Sequence, residues 1–333
     1  MDKISESSFG QTSSDNPSAF VENVLPYLRK WRDRGQRTAL VTLVGKDGSS
    51  PRPIGSQLAV SEQGDAVGYI ASDCLGQALI EEAKAVIEKE QNQLVRFGKG
   101  SQYIDIKLPC GSGLDIYFDQ ALGNEQLDEM LYLQRLRLPF VLRTEFQCGR
   151  SLVQRTAQRP DNRPRAKQTH ICRYYYPTPQ LLVAGTGPAT YYISILARNV
   201  GFDAKVITPD TALLMQLHRE GLRATGIAKH NDQMVLNLDA FSAAILAFHD
   251  HDWELDLLIQ ILEREVFYVG AVGSARTHRE RLSKLEQLGI PESKRARIVG
   301  PVGIVRGARS PTEIAISILA EIMAEARRRE ILC

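Results

Sequence analysis

Leu181-Leu182-Val183-Ala184 runs directly into Gly185-Thr186-Gly187-Pro188-Ala189-Thr190. Closely spaced glycines after a short apolar run let backbone approach a ligand. The helix that follows points its unpaired N–H groups and its positive end at an anion such as phosphate. Gly270-Ala271-Val272-Gly273-Ser274-Ala275-Arg276-Thr277 repeats the device after Phe267-Tyr268-Val269, with Arg276 adding a guanidinium in the first helical turn. In Gly48-Ser49-Ser50-Pro51-Arg52-Pro53-Ile54-Gly55 the prolines and glycines stiffen a turn. Arg52 is the one charge there, and its planar fork suits an anion clamp, although an ordinary surface arginine fits the same pattern. Two thiols stand in turn-like surroundings. Cys74 follows Asp73 at a predicted helix start, where the positive helix end favours thiolate. Cys110, between Pro109 and Gly111, suits a soft metal or sulfur ligand. No Cys-x-x-Cys or His-rich spacing accompanies either cysteine, so a structural zinc site is unsupported, and an inert buried thiol is equally compatible with the type. His249-Asp250-His251-Asp252 offers metal-ligand chemistry, but consecutive residues point in different directions and a polar loop explains them. No set of residues reads as catalytic.

The elements that must hold these groups follow from periodicity. Leu181 to Ala184 is a buried strand, Tyr191 to Ala197 a helix with an apolar inner face, and Ala204 to Thr208 a second strand. This βαβ unit is right-handed by rule and opens its tight turn at the carboxyl edge of the sheet. The G-x-G-x-x-G/A fingerprint is defective: Thr190 stands where its third small residue belongs, and Thr208 stands where a ribose-binding acid is expected, with Asp210 two residues on. Phe241 to Phe248 and Phe267 to Val269 extend the sheet, with helices at Glu254 to Glu265, 275–288 and 312–329. Both glycine turns are therefore expected on one carboxyl edge, with an anion bound between Gly185–Ala189 and Gly273–Arg276.

Upstream, Phe20, Val21, Val24, Leu25, Leu28 and Trp31 mark an amphipathic helix. Strands are expected at Thr38 to Val44, 94–98, 104–108, 114–119, Phe140 to Phe146 and Ile171 to Tyr176. A hairpin pairs Gln57 to Val60 with Ala66 to Ile70 around Gln63-Gly64-Asp65. Helices are expected from Ser72 to about Glu90 and at 125–137, a surface loop from Arg155 to Lys167, and a boundary at Pro177-Thr178-Pro179. The fold class is α/β: an N-terminal mixed α/β domain (18–178) followed by a C-terminal Rossmann-like parallel-sheet domain (179–333), with residues 1–17 disordered.

A length of 333 residues suits two domains. With 41 Lys and Arg against 39 Asp and Glu, the net charge of +2 is too balanced for nucleic acid or a membrane surface as main partner. No apolar run reaches the roughly 18 residues needed to span a bilayer, and the Ser-rich start lacks a signal-peptide core. Five scattered cysteines read as thiols in a reducing cytoplasm. The apolar closing helix, through Ile314, Ile318, Leu319 and Ile322, suggests a homodimer.

Taken together, these blocks resemble the XdhC/CoxI family, the maturation factors of molybdenum hydroxylases such as xanthine and carbon monoxide dehydrogenases. The resemblance runs in order from about Thr38 to Ile322, through Gly48 to Arg52, Cys74, Pro109-Cys110-Gly111, Gly185-Thr186-Gly187, Phe267 to Ser274 and Pro301-Val302-Gly303-Ile304. It closes with Pro311-Thr312-Glu313-Ile314-Ala315-Ile316-Ser317-Ile318-Leu319-Ala320-Glu321-Ile322, the longest block. It implies a non-catalytic protein that binds molybdenum cofactor (molybdopterin), protects it during sulfuration and delivers it to an apo molybdenum hydroxylase. A cysteine desulfurase is an implied further partner. Ser50, Arg52, Cys74, Cys110, Gly185, Gly187, Gly270, Gly273, Ser274 and Arg276 are the expected cofactor-binding residues, with Cys74 and Cys110 on the metal. The chain departs from the family pattern at Asp73, Gly76, Pro188, Thr208 and Val305. The Gly-x-Gly turn alone supports an NAD(P)-dependent oxidoreductase as the alternative, and the departures support a diverged nucleotide-binding paralogue. A third reading makes Cys74 or Cys110 a persulfide carrier.

Overall fold

The computed structural model describes residues 21–48, 52–71, 73–101, 112–156, 169–229, 235–248 and 251–331. The chain divides into two compact units, Met1–Tyr176 and Pro177–Cys333. The sequence expectations for 1–17, for a strand at 104–108 and for most of the Arg155 to Lys167 loop fall outside the described residues. So do Ser50 and Cys110.

The first unit is built on a five-stranded antiparallel sheet, ordered β3-β2-β1-β5-β4. Its strands are β1 (Thr38–Asp47), β2 (Gln57–Ser61), β3 (Ala66–Gly68), β4 (Gln93–Gly98) and β5 (Gly113–Asp119). On one face lies α2 (Asp73–Lys89), whose Leu75, Leu79, Ala83, Val86 and Ile87 form one helical stripe against Val41, Leu43, Phe97 and Phe118. The other face meets α1 (Leu25–Arg32) and α3 (Asn124–Arg135). A second sheet, ordered β7-β6-β8, joins this layer: β6 (Phe140–Glu145), β7 (Ser151–Arg155) and β8 (His170–Tyr175). Helix α1 begins at Leu25, past Val21 and Val24 of the expected helix, because Pro26 fits only the first turn of a helix.

The second unit is a six-stranded sheet, ordered β11-β10-β9-β12-β13-β14, with every neighbouring pair parallel. Its strands are β9 (Gln180–Gly185), β10 (Asp203–Thr208), β11 (Arg223–Gly226), β12 (Ser242–Ala247), β13 (Tyr268–Ala271) and β14 (Ile298–Val299). Strands buried on both faces read as unbroken apolar runs. In β9, Leu181 and Val183 face one core, while Leu182 and Ala184 face the other. The first core is closed by α4 (Gly187–Asn199), α5 (Thr211–Arg219) and α9 (Pro311–Arg328), and the second by α6 (His251–Leu262) and α7 (Ala275–Gln287). A short α8 (Glu292–Arg295) precedes β14. The expected α/β class and C-terminal Rossmann topology are both present. Among the described residues, no helix is long and apolar enough to cross a membrane.

Candidate ligand site on the carboxyl edge

From β9 the chain crosses through α4 to β10 on one side, while β12 lies on the other. That reversal opens a crevice beyond the carboxyl ends of β9 and β12, the place where open parallel sheets receive ligands. Gly185 ends β9 in full burial. A Cβ there would overlap the Ala247 carbonyl oxygen at the end of β12 and lie 2.6 Å from Thr190 Oγ1. Thr186 N–H donates to the same carbonyl at 3.2 Å. Thr190, in the third small position, is buried and donates its hydroxyl to Thr186 O at 3.0 Å. The missing side chain of Gly185 thus makes the room that Thr190 fills.

Gly187 differs in kind. Its φ is +69°, a region costly for residues with a Cβ, and nothing lies within 4 Å of where a Cβ would be. The first turn of α4 opens on space. Thr186, its N-cap, makes no side-chain capping bond, and Pro188 lacks an N–H. The amides of Gly187 and Ala189 therefore have no side-chain cap and face the anion-favouring end of the helix dipole.

The second glycine turn opens on the same edge, one strand beyond β12. Gly270 lies within β13, where a Cβ would press on Val302 and Ile245, so it serves close packing. Gly273 has φ +145°. Ser274 caps α7, accepting from Thr277 N at 3.1 Å, so this helix end already has a side-chain partner. Arg276, the expected clamp, is 83% exposed and donates along its own helix to Glu280 at 2.8 Å.

The arginine that organises this turn is Arg281, which sequence reasoning did not single out. Its side chain is 2% exposed and pairs with Glu254 of α6, itself 1% exposed. It also donates to Val272 O at 3.0 Å and to His278 Nδ1 at 3.3 Å. With Nδ1 accepting, His278 carries its proton on Nε2 when neutral. Burial, and then the Arg281 charge, lower the His278 pKa. The His278 ring rests on Gly300, where any Cβ would overlap it.

The loop after β14 is latched to α9. Gly303, at φ +104°, donates its N–H to Glu321, and Val305 N donates to Ser317 Oγ at 2.7 Å. Ser310 and Glu313 form a reciprocal capping box at the start of α9. Burial, followed by the Glu321 charge, raises the pKa of Tyr268. The long closing sequence block is thus one structural assembly.

On β10, Thr208 is buried and its hydroxyl accepts from Asp210 N at 3.1 Å. Asp210 Oδ1 accepts from Leu213 N at 3.0 Å as the N-cap of α5. The acid expected to hold a ribose is engaged in a helix cap. A cavity of about 470 Å³ lies against Leu182, Lys205, Ile207 and Arg223 and includes none of the expected site residues.

In the first unit, Arg52 Nη2 donates to both carboxylate oxygens of Glu22, at 2.6 and 2.7 Å, so a carboxylate already holds this candidate clamp. Cys74 lies in the first turn of α2. Among the described residues, no cluster of three or more His, Cys, Asp or Glu side chains could hold a metal. Arg173 is a further arginine that sequence reasoning passed over. It lies over the Tyr175 ring at 5.2 Å, and its Cδ is 3.0 Å from where a Cβ on Gly55 would stand.

The XdhC Rossmann domain profile matches residues 181–322, and the XdhC and CoxI family profile matches 31–98. The molybdenum cofactor insertion chaperone PaoD of Escherichia coli is 30% identical over 288 residues, covering 86% of this chain and 83% of that protein. A Bacillus subtilis protein described as a probable component of xanthine dehydrogenase is 21% identical over 326 residues, 88% and 94% of the two chains. A crystal structure described as a xanthine dehydrogenase from Bacillus halodurans superposes with a TM-score of 0.72 at 18% identity, covering 92% of this chain and 96% of that one. This last likeness shows a shared fold.

Proposed function

The chain belongs to the XdhC and CoxI family, and from that premise we propose that it binds the molybdenum cofactor and hands it to an apo molybdenum hydroxylase of the xanthine dehydrogenase type. The observation that carries this reading is the crevice between the carboxyl ends of β9 and β12. Gly187 leaves space there, and the first amides of α4 lack a side-chain cap. The chemistry matches the cargo. Molybdopterin ends in a phosphate, which the α4 amides and dipole favour. Its pterin needs donors and acceptors, and its metal is soft and sulfur-bound, so that within the first unit the thiols of Cys74 and Cys110 are the proposed metal ligands.

Sulfuration of the bound cofactor, with a cysteine desulfurase as sulfur donor, and a cytoplasmic place of action belong to the same proposal. A nicotinamide-dependent oxidoreductase is less well supported, since Thr208 makes a turn bond and Asp210 caps α5. Absorption spectra and metal analysis of the full chain, purified from a molybdenum-replete host, separate the two. Pterin–dithiolene absorption with bound molybdenum is the expected result. Saturable nicotinamide binding with no pterin would overturn it.

The thiols give a second expectation. Cys74→Ser and Cys110→Ser should each reduce retained molybdenum while thermal unfolding stays cooperative, because thiols expected in turn-like segments rather than strand interiors act on the ligand and not on the core. Should both variants lose cooperative unfolding while the parent keeps it, the cysteines are core residues and the metal is held elsewhere.

A further inference from the structure

Helix α9 has two apolar faces, and its own chain covers one. Ala315, Ile318, Leu319, Ile322 and Ala326 are buried in the core beside α4, with Ile314 packed against it. The residues that suggested a homodimer from sequence thus mostly point inward. On the far side, Glu313, Ile316, Ala320, Met323 and Arg327 recur at alternating intervals of three and four residues. That spacing places them on one stripe. Ile316 is 60% exposed and Met323 39%. Ile304 and Val305, also well exposed, flank the stripe because their loop is tied to Ser317 and Glu321. A grouped apolar surface edged by charge marks an interaction site, where scattered single residues do not.

We propose that this stripe is where two copies of the chain pair, α9 against α9, antiparallel about a two-fold axis at Ala320. The order of residue types supports a second copy as occupant. Glu313 and Arg327 stand seven positions either side of Ala320, and Ile316 and Ala324 four. In an antiparallel pair each Glu313 meets the other copy's Arg327, Ile316 meets Met323 and Ala324, and Ala320 meets itself. A small residue at that crossing lets the helices approach closely. A parallel pair would set like charges together. Glu313 is held charged by the backbone N–H groups of Arg309 and Ser310. Glu325 engages Arg328 and Arg329, and Arg327 has no ion-pair partner among the described residues. An 18-residue helix is about 27 Å long, which puts the contact at the small end of specific interfaces. Pairing is therefore concentration-dependent.

Sedimentation of the full chain across micromolar concentrations should show a reversible monomer–dimer shift. Ile316→Lys should leave a folded monomer, and Arg327→Glu should weaken pairing roughly tenfold at low salt, both ends of the pair being affected. Circular dichroism checks that each variant is folded. Ala320→Cys should form an interchain disulfide on mild oxidation, beyond any seen in the parent, while Arg327→Cys should not. A parent that stays monomeric throughout overturns the proposal and leaves the stripe to another protein. A dimer indifferent to Ile316→Lys and Arg327→Glu, or equal cross-linking at both cysteine positions, overturns it as well.

Discussion

An Arg281→Ala variant unfolds with about 3–5 kcal/mol less free energy than the parent, the usual cost of removing one partner from a buried ion pair. Three interactions depend on this side chain: the pair with Glu254 on α6, the bond to Val272 O in the glycine turn, and the bond to His278. Removing it leaves a carboxylate in the core with its main counter-charge gone. Glu254→Gln should cost less, about 1–3 kcal/mol, since an amide oxygen still accepts from the guanidinium. The double variant Arg281→Met with Glu254→Leu should regain most of the loss, because apolar pairs of similar volume replace buried ions at little cost. Denaturant unfolding followed by circular dichroism measures all three. Equal stability of Arg281→Ala and the parent would mean that the pair is solvated in solution. The double variant carries a further consequence. It keeps the helices packed but frees Val272 O and His278, so the Gly273 turn should loosen while global stability recovers.

The fold was legible where burial imposes a period. β9 reads as a strand because both its faces are covered, and α2 because its stripe lies on one sheet face. The elements that escaped are those with little to bury. Along β7 only Val153 is buried, and β11 is an edge strand with no fully buried residue. Helix α5 did carry a signal, Asp210 as its N-cap. That acid drew attention instead as a ribose ligand, since one carboxylate at a strand end fits either role.

The turns that carry the candidate residues were legible where the signal is local. A glycine turn announces itself within six residues. The Glu254–Arg281 pair does not, because its partners are 27 positions apart on separate helices, and only the order of β12 and β13 brings those helices together. Arg276 shows the converse. Its position in the first turn of α7 is correctly read, but Glu280 one turn later supplies a carboxylate along the same helix, and the side chain lies there. The departure at Thr190 resolves by packing: the residue is small enough once Gly185 gives up its Cβ.

The two glycines of the first turn should fail in opposite ways, and that contrast tests where the cargo sits. Gly185→Ala places a methyl group inside the Ala247 carbonyl and 2.6 Å from Thr190 Oγ1. Neither neighbour can swing away freely, so the variant should lose about 1–3 kcal/mol of stability through overpacking. Gly187→Ala meets no atom, and its penalty is the positive φ alone, about 1–2 kcal/mol. Asparagine tolerates that backbone region better than most residues, so Gly187→Asn should stay near parental stability. Its side chain nonetheless fills the space in front of the α4 amides. Titration calorimetry with molybdopterin should therefore show Gly187→Asn binding at least roughly tenfold more weakly than the parent, a loss of about 1.4 kcal/mol. Gly185→Ala, wherever it remains folded, should bind nearly normally, because its methyl group meets Ala247 O and Thr190 and not the space in front of the α4 amides. Parental affinity in Gly187→Asn would sink the crevice as the phosphate site and leave the cysteine-bearing first unit as the place where the cofactor is held.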